Sequence, residues 1–492
     1  MVTKVVVLGL DGFNPDLVYQ WRNDLPSLSS MMSKGIFGKI ESTVPPITPQ
    51  AWTCAQTGKN PGQFGFWDFR YRDEFSYGEA RLVNSKKAAA ADPLYRILPR
   101  YGKRVGMINV PVTYPPPTIP NGYCVSSFMT PNTEVDFTYP KELKEEITRL
   151  FGEYILDAST PDMNYRRMDK EAVLKRIYDM DRQKFDILKH FIKGKSCDYI
   201  FTVIMGTDRM PHLFYRYFDE RHIRYEANPH YKDALKGHYK FCDENIGEIL
   251  QLLHGETVFI VLSDHSVQRL DGRINLNEWL RREGYLVLGA RPTEPVVLGN
   301  AAVDWSKTKA WATGYTGQIY LNVEGREPQG VVTQGEYDFL LNELSERLLA
   351  IPDEKGNKLD TKVFKRDDIH FGDFAQFGPD LFIYFDNCHW NIDEALGFDS
   401  IYSYDTSLGP DDGAHGPQGF FAMTGPGVPR MGELFDITLV DIAPTVCHLM
   451  EVPIPPDMEG RVLTEEESTE IYSEKGAEDV RQRLRGLGYF RK

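Results

Sequence analysis

The chain has 492 residues, 41% of them hydrophobic, and a formal net charge of -15. This composition supports a large folded core and excludes a globally disordered protein. The acidic balance argues against nucleic-acid polymers and membrane surfaces as partners, and a small anionic substrate would need positive charge from bound metal ions.

The beginning of the chain and its cysteines predict a cytoplasmic protein. The first apolar run begins at Val5, no signal-peptide pattern precedes it, and no run is long enough to span a bilayer. The six cysteines are scattered without a Cys-x-x-Cys pair. This is typical of free, buried thiols and not of a disulfide framework or a thiolate zinc site.

Short β-branched runs alternate with longer amphipathic segments, which predicts an α/β fold with a largely parallel sheet flanked by helices. The predicted strands are Val5–Leu10, Val105–Val110, Tyr199–Met205, Val258–Leu262, Asp380–Phe385 and Phe420–Thr424. The predicted helices are Asp24–Lys34, Glu171–Ile192, Lys232–Leu253, Gly335–Ala350 and Leu439–Met450. We expect Lys141–Lys170 to be irregular and Ala477–Tyr489 to be a short basic amphipathic helix.

Three of the predicted strands lead to an aspartate. Asp11, Asp208 and Asp264 each come at or shortly after the end of an apolar run. Ligand sites of α/β sheets gather at the carboxyl ends of the strands, so we expect these carboxylates to lie together. The glycines beside Asp11 allow a sharp turn and close approach of a ligand. The alternative for Asp11 is that it caps the following helix.

Two histidines follow these aspartates closely. His212 comes four residues after Asp208, so both face one side if the segment is helical. Pro211 is tolerated only in a first turn, which predicts a loop entering a helix. His265 directly follows Asp264, and both reach one metal only if the backbone turns there. The flanking serines favour such a turn.

A third candidate, His415, lies in the turn Asp-Gly-Ala-His-Gly, where a histidine has little packing purpose. The alternative is a solvated loop histidine. Together the three carboxylates and three imidazoles suit a pair of divalent metals. The remaining histidines lie in polar helical stretches and are expected to be exposed, among them His222, His230, His238 and His254.

Thr48 lies in the rigid sequence Pro-Pro-Ile-Thr-Pro-Gln. A helix predicted from Pro49 to Gln56 would place Thr48 at its N-cap, the commonest position for such a threonine. The same geometry suits a nucleophile, because a helix N-terminus stabilises a transferring phosphoryl group. A nearby metal would have to activate the hydroxyl.

In this order, the motifs resemble the alkaline phosphatase superfamily, and most closely its type I phosphodiesterase/nucleotide pyrophosphatase branch. Strand-Asp-Gly, P-x-T-P, D-x-x-x-H, S-D-H and G-x-H-G follow one another within residues 1–275 and 401–463. The resemblance implies an alkaline-phosphatase-like core and two divalent ions, zinc or manganese. Asp208, His212 and His415 match the ligands of the metal that binds the attacking water, and Asp11, Thr48, Asp264 and His265 match those of the metal that activates the nucleophile.

The resemblance also implies an activity. It is that of a phosphodiesterase or phosphohydrolase, acting on a soluble small-molecule phosphate ester or nucleotide-type pyrophosphate through a phosphothreonine at Thr48. One alternative is a phosphoryl or phosphoalcohol transferase that passes the same intermediate to an acceptor other than water. Another is a metal-binding protein without turnover. The oligomeric state is left open.

The chain departs from the family pattern at the phosphate-binding position. Family members carry an asparagine about twenty residues after the nucleophile, whereas Phe64–Phe69 contains none. Trp67 and Asp68 in this segment are our candidate substrate contacts. Ser266 stands where the family has glycine. The absence of C-x-P-x-R counts against sulfatase chemistry, and a serine nucleophile is also missing.

The sequence predicts a core of residues 1–275 and 401–492, interrupted by an inserted subdomain of residues 276–400, which we call the cap. The cap is rich in aromatic residues and contains none of the Asp/His candidates. We expect it to close over the site and choose the substrate, and its replacement by a linker to spare metal binding. The guanidinium of Arg326 could bind a phosphate or carboxylate through two N–H groups. The alternative is that Arg326 pairs with a neighbouring glutamate on the surface.

Overall fold

The computed structural model of the protein describes residues 4–77, 80–160, 162–405 and 409–465. The predicted helix Ala477–Tyr489 lies outside the described residues. None of the described helices has the length and apolar character needed to cross a membrane. All six cysteines are buried and free, as predicted.

The strands of the described residues are β1 Lys4–Leu10, β2 Ile36–Glu41, β3 Arg70–Tyr71, β4 Arg81–Leu82, β5 Val105–Val110, β6 Tyr123–Ser126, β7 Thr138–Tyr139, β8 Tyr199–Ile204, β9 Thr257–Leu262, β10 Ser266–Arg269, β11 Gly272–Asn275, β12 Ala310–Thr313, β13 Gln318–Leu321, β14 Lys362–Lys365, β15 Leu381–Tyr384, β16 Trp390–Asp393, β17 Tyr402–Ser403, β18 Gly413–Gly416, β19 Gln418–Thr424, β20 Gly432–Glu433 and β21 Ile437–Thr438. The α-helices are α1 Pro15–Gln20, α2 Pro26–Lys34, α3 Thr48–Thr57, α4 Ser85–Ala89, α5 Leu94–Arg100, α6 Leu143–Phe151, α7 Lys170–Gly194, α8 Gly206–Phe218, α9 Ala234–Leu252, α10 Leu276–Arg282, α11 Gln334–Leu349, α12 Arg366–Ile369 and α13 Ile442–Leu449.

A central sheet runs in the order β20-β2-β19-β9-β1-β8-β5-β6-β7, with β21 beside β2. Its middle strands β9, β1, β8, β5 and β6 are parallel, whereas β19 is antiparallel to both of its neighbours. The predicted fold class, a largely parallel sheet flanked by helices, is confirmed. All six predicted strands form, with boundaries shifted by at most two residues.

The central strands are apolar throughout because helices cover both faces of the sheet. On β1, Val5 and Val7 pack into the hydrophobic cluster on the side of α3, α5 and α13. Val6 and Leu8 point to the opposite cluster, on the side of α2, α7 and α9. Burying each such side chain stabilises the fold by roughly 1.5–3 kcal/mol. This packing fixes the strand ends from which the site is built.

The cap has a hydrophobic cluster of its own, formed largely by α10, α11 and the antiparallel sheet β12-β13-β15-β14. A second small sheet, β16-β11-β17, joins the cap to the strands that enter and leave it. Both connections between cap and core therefore pass through paired strands. The boundaries at residues 276 and 400 stay a prediction.

Two predictions about regions outside the candidate site are wrong. The stretch from Lys141 to Lys170 contains α6, whose Leu143 is buried. His222 and His238 are buried instead of exposed. The ring of His238 pairs with Asp181 at 2.8 Å, and the ring of His222 lies 3.2 Å from the backbone oxygen of Asp412. These partners are distant in sequence and offset the desolvation of the rings, so the local pattern did not reveal them.

Candidate functional site

The carboxyl ends of β1, β8 and β9 bring the three predicted aspartates together. Asp11 directly follows β1, and its N–H donates to the backbone oxygen of Ile204 at the end of β8. Asp208 lies in α8 after β8, and Asp264 comes two residues after the end of β9. All three side chains are buried. Gly12 adopts a positive φ of 68° here, and an added Cβ would come within 3.0 Å of the Asp208 backbone.

The first group, which we call the Asp208 cluster, consists of Asp208, His212 and His415. The Nε2 atoms of His212 and His415 lie 3.4 Å and 3.3 Å from Oδ1 of Asp208. The segment is helical from Gly206, so Pro211 lies inside the helix and not in its first turn, contrary to the prediction. Asp208 and His212 nevertheless face one side, as their spacing predicted.

The second group, the Asp11 cluster, consists of Asp11, Asp264 and His265. The Nε2 atom of His265 lies 3.2 Å from Oδ2 of Asp264 and 3.7 Å from Oδ1 of Asp11. The chain turns between β9 and β10, which lets both adjacent side chains reach one point, as predicted. His415, expected in a turn, instead lies on β18, where it pairs with Val267 of β10.

The hydrogen bonds of the three rings fix which nitrogen carries the proton. Nδ1 faces an oxygen acceptor in each ring: Asp411 Oδ1 at 2.6 Å for His212, the Ser266 carbonyl at 3.1 Å for His265, and the Pro46 carbonyl at 3.0 Å for His415. In its neutral, metal-binding form each ring therefore carries its proton on Nδ1 and turns the lone pair of Nε2 toward the carboxylates.

This donor set fits metal ions. In that neutral form the lone pairs of three imidazoles face carboxylate oxygens, which suits a cation between them. Burial would lower the pKa of His212, but the charges of Asp411 and Asp208 outweigh it and raise that pKa to about 9, so a bound cation would take the place of this proton. Oδ1 of Asp208 and Oδ2 of Asp264 are buried and accept no hydrogen bond of good geometry from a described residue. Each cluster brings its three ligand atoms within 4.8 Å of one another. Nitrogen and carboxylate ligands in threes suit zinc, and manganese accepts them as well.

The electrostatics support the same conclusion. Burial, followed by the nearby charge of Asp208, raises the pKa of Asp11 to about 8. Burial and the charge of Asp11 raise the pKa of Asp264 well above its usual range. Burial alone would also raise the pKa of Asp208, but His212, His415 and Arg209 outweigh it and lower that pKa. Adjacent carboxylates thus resist ionising together, and a divalent cation would relieve this repulsion.

Thr48 lies against the Asp11 cluster. Its Oγ1 is 3.4 Å from Oδ1 of Asp11 and 3.2 Å from Nε2 of His265. Thr48 is the first residue of α3, and Ile47 occupies the N-cap, so the predicted capping position is wrong by one residue. Since the hydroxyl makes no capping bond to α3, it is available to the site.

Several supporting residues were not predicted. Trp52, one turn after Thr48, donates from Nε1 to Oδ2 of Asp11 at 2.7 Å. Gly9 leaves the room for this ring, because an added Cβ would lie 2.5 Å from it. Arg209 binds Asp208 and Asp157. Asp411 binds His212. The only local signal was the position of Arg209 and Asp411 beside or near predicted ligands.

The candidate substrate contacts lie between core and cap. The ring of Trp67 contacts His370, with centroids 5.8 Å apart, and His370 binds the backbone oxygen of Val44, four residues before Thr48. Asp68 lines a cleft of about 540 Å³ between residues from 68–77 and 80–81 on one side and the cap on the other.

Arg326 binds Glu327 and Asp380 through its guanidinium. The predicted pairing with a neighbouring glutamate is present, but the prediction of a surface pair is wrong, because Glu327 and Asp380 are buried. The buried pairs give this arginine a structural role in the cap.

Comparison with known proteins agrees with this geometry. A model of the family "Type I phosphodiesterase / nucleotide pyrophosphatase" matches residues 5–417. The human ectonucleotide pyrophosphatase/phosphodiesterase 5 structure has a TM-score of 0.54 at 15% identity and covers 93% of this chain and 97% of its own. The structure of the murine protein has a TM-score of 0.52, also at 15% identity, and the match covers 92% of this chain and 96% of the murine one. An inactive threonine-to-alanine variant of the murine protein in complex with AMP gives 0.50, with the same identity and coverage. No curated protein matches the chain. At this identity the structures show a shared fold.

Proposed function

Because this chain belongs to the type I phosphodiesterase/nucleotide pyrophosphatase family, we propose that it hydrolyses a small phosphate ester at a two-metal site with Thr48 as the nucleophile. The observation that carries the proposal is the position of the Thr48 hydroxyl within 3.4 Å of both Asp11 and His265. A hydroxyl that only capped α3 would have no reason to face two metal-ligand candidates.

The candidate ligands form two metal-binding positions. Asp208, His212 and His415 would hold one divalent ion, and Asp11, Asp264, His265 and Thr48 would hold the other. When bound, the ions would lower the pKa of the Thr48 hydroxyl and stabilise the charge of the phosphoryl group. Thr48 attacks phosphorus and forms a phosphothreonine as the leaving group departs, and water then hydrolyses that ester. The N-terminus of α3 adds partial positive charge beside the phosphoryl group.

We assign the choice of substrate to the cap. The cleft of about 540 Å³ joins residues that follow the nucleophile helix, such as Asp68 and Arg70, to the cap aromatics Trp305 and Trp311. Its lining combines aromatic rings with many charged and polar side chains, which suits a ligand that carries both a ring and a charged group. A murine relative of the same fold binds AMP, so nucleotide-type diesters and pyrophosphates are the first substrates to test.

We also retain the prediction of a cytoplasmic protein. Its support is chemical: all six cysteines are free and buried, whereas oxidising compartments favour disulfides.

The test is a substrate panel with zinc- or manganese-reconstituted protein. It comprises a phosphomonoester, a phosphodiester, a nucleotide pyrophosphate and a phosphonate ester, each with and without an acceptor alcohol. We expect metal-dependent hydrolysis of the diester or pyrophosphate. A phosphorylated alcohol as the main product would favour the transferase. Folded protein that binds two ions but turns over no substrate would favour the metal-binding protein and overturn the proposal.

A further inference from the structure

Behind His212 lies a buried carboxylate that the proposed reaction does not use. We infer that Asp411 is a positioning residue for the metal of the Asp208 cluster, and that the cap supports this cluster through Tyr315 and through strand β16, which pairs with the strand of Arg273. The inference rests on the proposed function, because it assumes that both clusters bind metals.

Asp411 is bound on both of its oxygens. Oδ1 lies 2.6 Å from Nδ1 of His212. Oδ2 accepts from Nη2 of Arg166 and from Nη2 of Arg273, each at 3.1 Å. The aspartate is only 2% exposed. Asp411 is therefore a carboxylate fixed between two arginines and His212.

A fixed carboxylate at this place controls the ring of His212. It accepts the Nδ1–H, which leaves the Nε2 lone pair aimed at Asp208. It also stops the ring from rotating and makes Nε2 a stronger donor. Removing a carboxylate that binds a metal-ligating histidine in this way typically weakens metal binding by roughly 10- to 100-fold.

The cap contributes to both histidines of the Asp208 cluster. Arg273 lies on β11, the strand that leads into the cap and pairs with cap strand β16. The hydroxyl of cap residue Tyr315 donates to the Gly413 carbonyl at 3.2 Å, and its ring centroid lies 4.8 Å from that of His415.

The Asp11 cluster is held differently, by contacts from the core. Trp52 donates to Asp11, and the Gly12 N–H donates to Asp264. Nδ1 of His265 faces the carbonyl of Ser266. The cap should therefore affect one metal more than the other.

The experiment separates the two clusters before testing Asp411. In an Asp264→Ala/His265→Ala background only the Asp208 cluster remains, and in a His212→Ala/His415→Ala background only the Asp11 cluster remains. Zinc affinity is measured in each by competition with a chromophoric chelator. We expect Asp411→Asn to weaken binding roughly 10- to 100-fold in the first background and to leave it within about twofold in the second.

Asp412→Asn is the matched control. Asp412 is the next residue, equally buried, and binds Arg216 at 2.8 Å instead of a histidine side chain. It should leave both affinities unchanged. Should Asp411→Asn fail to fold, Asp411→Glu keeps the charge beside the arginines but shifts the carboxylate from Nδ1, and the same selective loss is expected.

The support from strand β11 and from the cap is tested by Arg273→Met and Tyr315→Phe, which should weaken zinc binding only at the Asp208 cluster. Arg326→Met controls for loss of a cap arginine that binds Asp380 instead. Equal losses at both clusters, or no loss from Asp411→Asn or Asp411→Glu in a background that binds zinc, would overturn the inference alone. Absence of zinc binding in both unmodified backgrounds would overturn the proposed function.

Discussion

The Thr48 hydroxyl belongs to a residue that starts α3 but does not cap it. Ile47 at the N-cap offers no side-chain acceptor, and Pro49 needs no N–H partner in the first turn. Neither neighbour therefore competes for the hydroxyl, which faces Asp11 and His265. An ordinary threonine hydroxyl is a weak nucleophile, so its reactivity must come from these surroundings.

We predict that Thr48→Ala lowers kcat by about three or more decades, the typical cost of removing a covalent nucleophile. Zinc affinity should change little, since three other ligands of the Asp11 cluster remain. Steady-state kinetics and chelator competition measure the two effects. Mass spectrometry after acid quench should find phosphothreonine only in the parent protein.

Thr53→Ala is the control for this change. Thr53 lies in the same helix, and its hydroxyl donates to the Pro49 carbonyl at 2.7 Å. Its loss should cost little activity. Turnover of Thr48→Ala at the parental rate would instead mean that water attacks phosphorus directly.

Which site residues the sequence predicts depends on their local surroundings. Asp11, Asp208 and Asp264 follow apolar strands. Because ligand sites of α/β sheets lie at the carboxyl ends of the strands, each of these aspartates could be predicted. Asp411, Trp52 and the other supporting residues meet the ligands only through tertiary packing, which leaves no periodic or turn signal in the sequence.

Residues 370–378 of the cap pack on the segments before and after the nucleophile helix α3. His370 lies 2.8 Å from the Val44 carbonyl, and the Phe374 N–H donates to the carbonyl of Gly62. His370 is 5% exposed, and burial lowers its pKa to about 4. The neutral ring is therefore part of the contact between the cap and the loop before Thr48.

We predict that this contact weakens in mild acid. A histidine whose pKa falls from 6.5 to about 4 on folding stabilises the native state fully above pH 6.5, and the stabilisation disappears between pH 6.5 and 4. The contribution of His370 to the free energy of unfolding is at most roughly 3 kcal/mol. His370→Gln keeps an N–H donor for Val44 but does not titrate. Urea unfolding at pH 7.5 and 4.5 should show a smaller loss of stability in this variant.

His230→Gln is the control, because His230 is exposed and pairs with Glu171. It should lose stability with falling pH as the parent does. The same pH dependence in His370→Gln and the parent would show that His370 titrates normally in the folded protein.

The elements that were predicted correctly are those with long, clean patterns. The buried strands β1, β8 and β9 and the helix α7 fall where their periodicity indicates. The misjudged elements are short or glycine-rich. The glycine-rich segment of β18 forms a strand because it pairs with β10. The local sequence gives no sign of this pairing.

The whole molecule places three carboxylates at the meeting point of its central strands. This arrangement costs stability without cations, because buried like charges repel. An ion that binds only the folded state adds RT ln(1 + [L]/Kd), roughly 2.7 kcal/mol at a concentration one hundred times Kd.

We therefore predict that chelation lowers the melting temperature and that zinc or manganese restores it. Asp264→Asn should melt higher than the parent when metal-free, since one repelling carboxylate is gone, and should gain less from added metal. Differential scanning calorimetry with chelator or metal measures both. Identical melting of chelated and metal-loaded parent would mean that the clusters do not bind ions under the conditions tested.

The cap changes one expectation drawn from the sequence. Replacing residues 276–400 by a linker was expected to spare metal binding, but the cap supplies Tyr315 beside His415, and its strand β16 pairs with the strand of Arg273. Such a deletion would disturb the Asp208 cluster as well as the cleft. The role of the cap in specificity therefore needs a change confined to the cleft.

Trp305→Ala is such a change. The Trp305 ring lines the cleft and stacks on Tyr77 with centroids 3.9 Å apart. Its removal opens one wall of a cleft whose lining includes none of the predicted metal ligands. We predict that kcat/KM for a nucleotide diester falls about tenfold or more, the scale of losing a well-placed aromatic contact. Hydrolysis of methyl nitrophenyl phosphate, which is too small to fill the cleft, should stay within about threefold. Trp279→Ala, which removes a buried tryptophan of the same hydrophobic cluster outside the cleft, controls for a weakened cap. A fall by the same factor for both substrates in Trp305→Ala would mean that the cap supports the site without selecting its substrate.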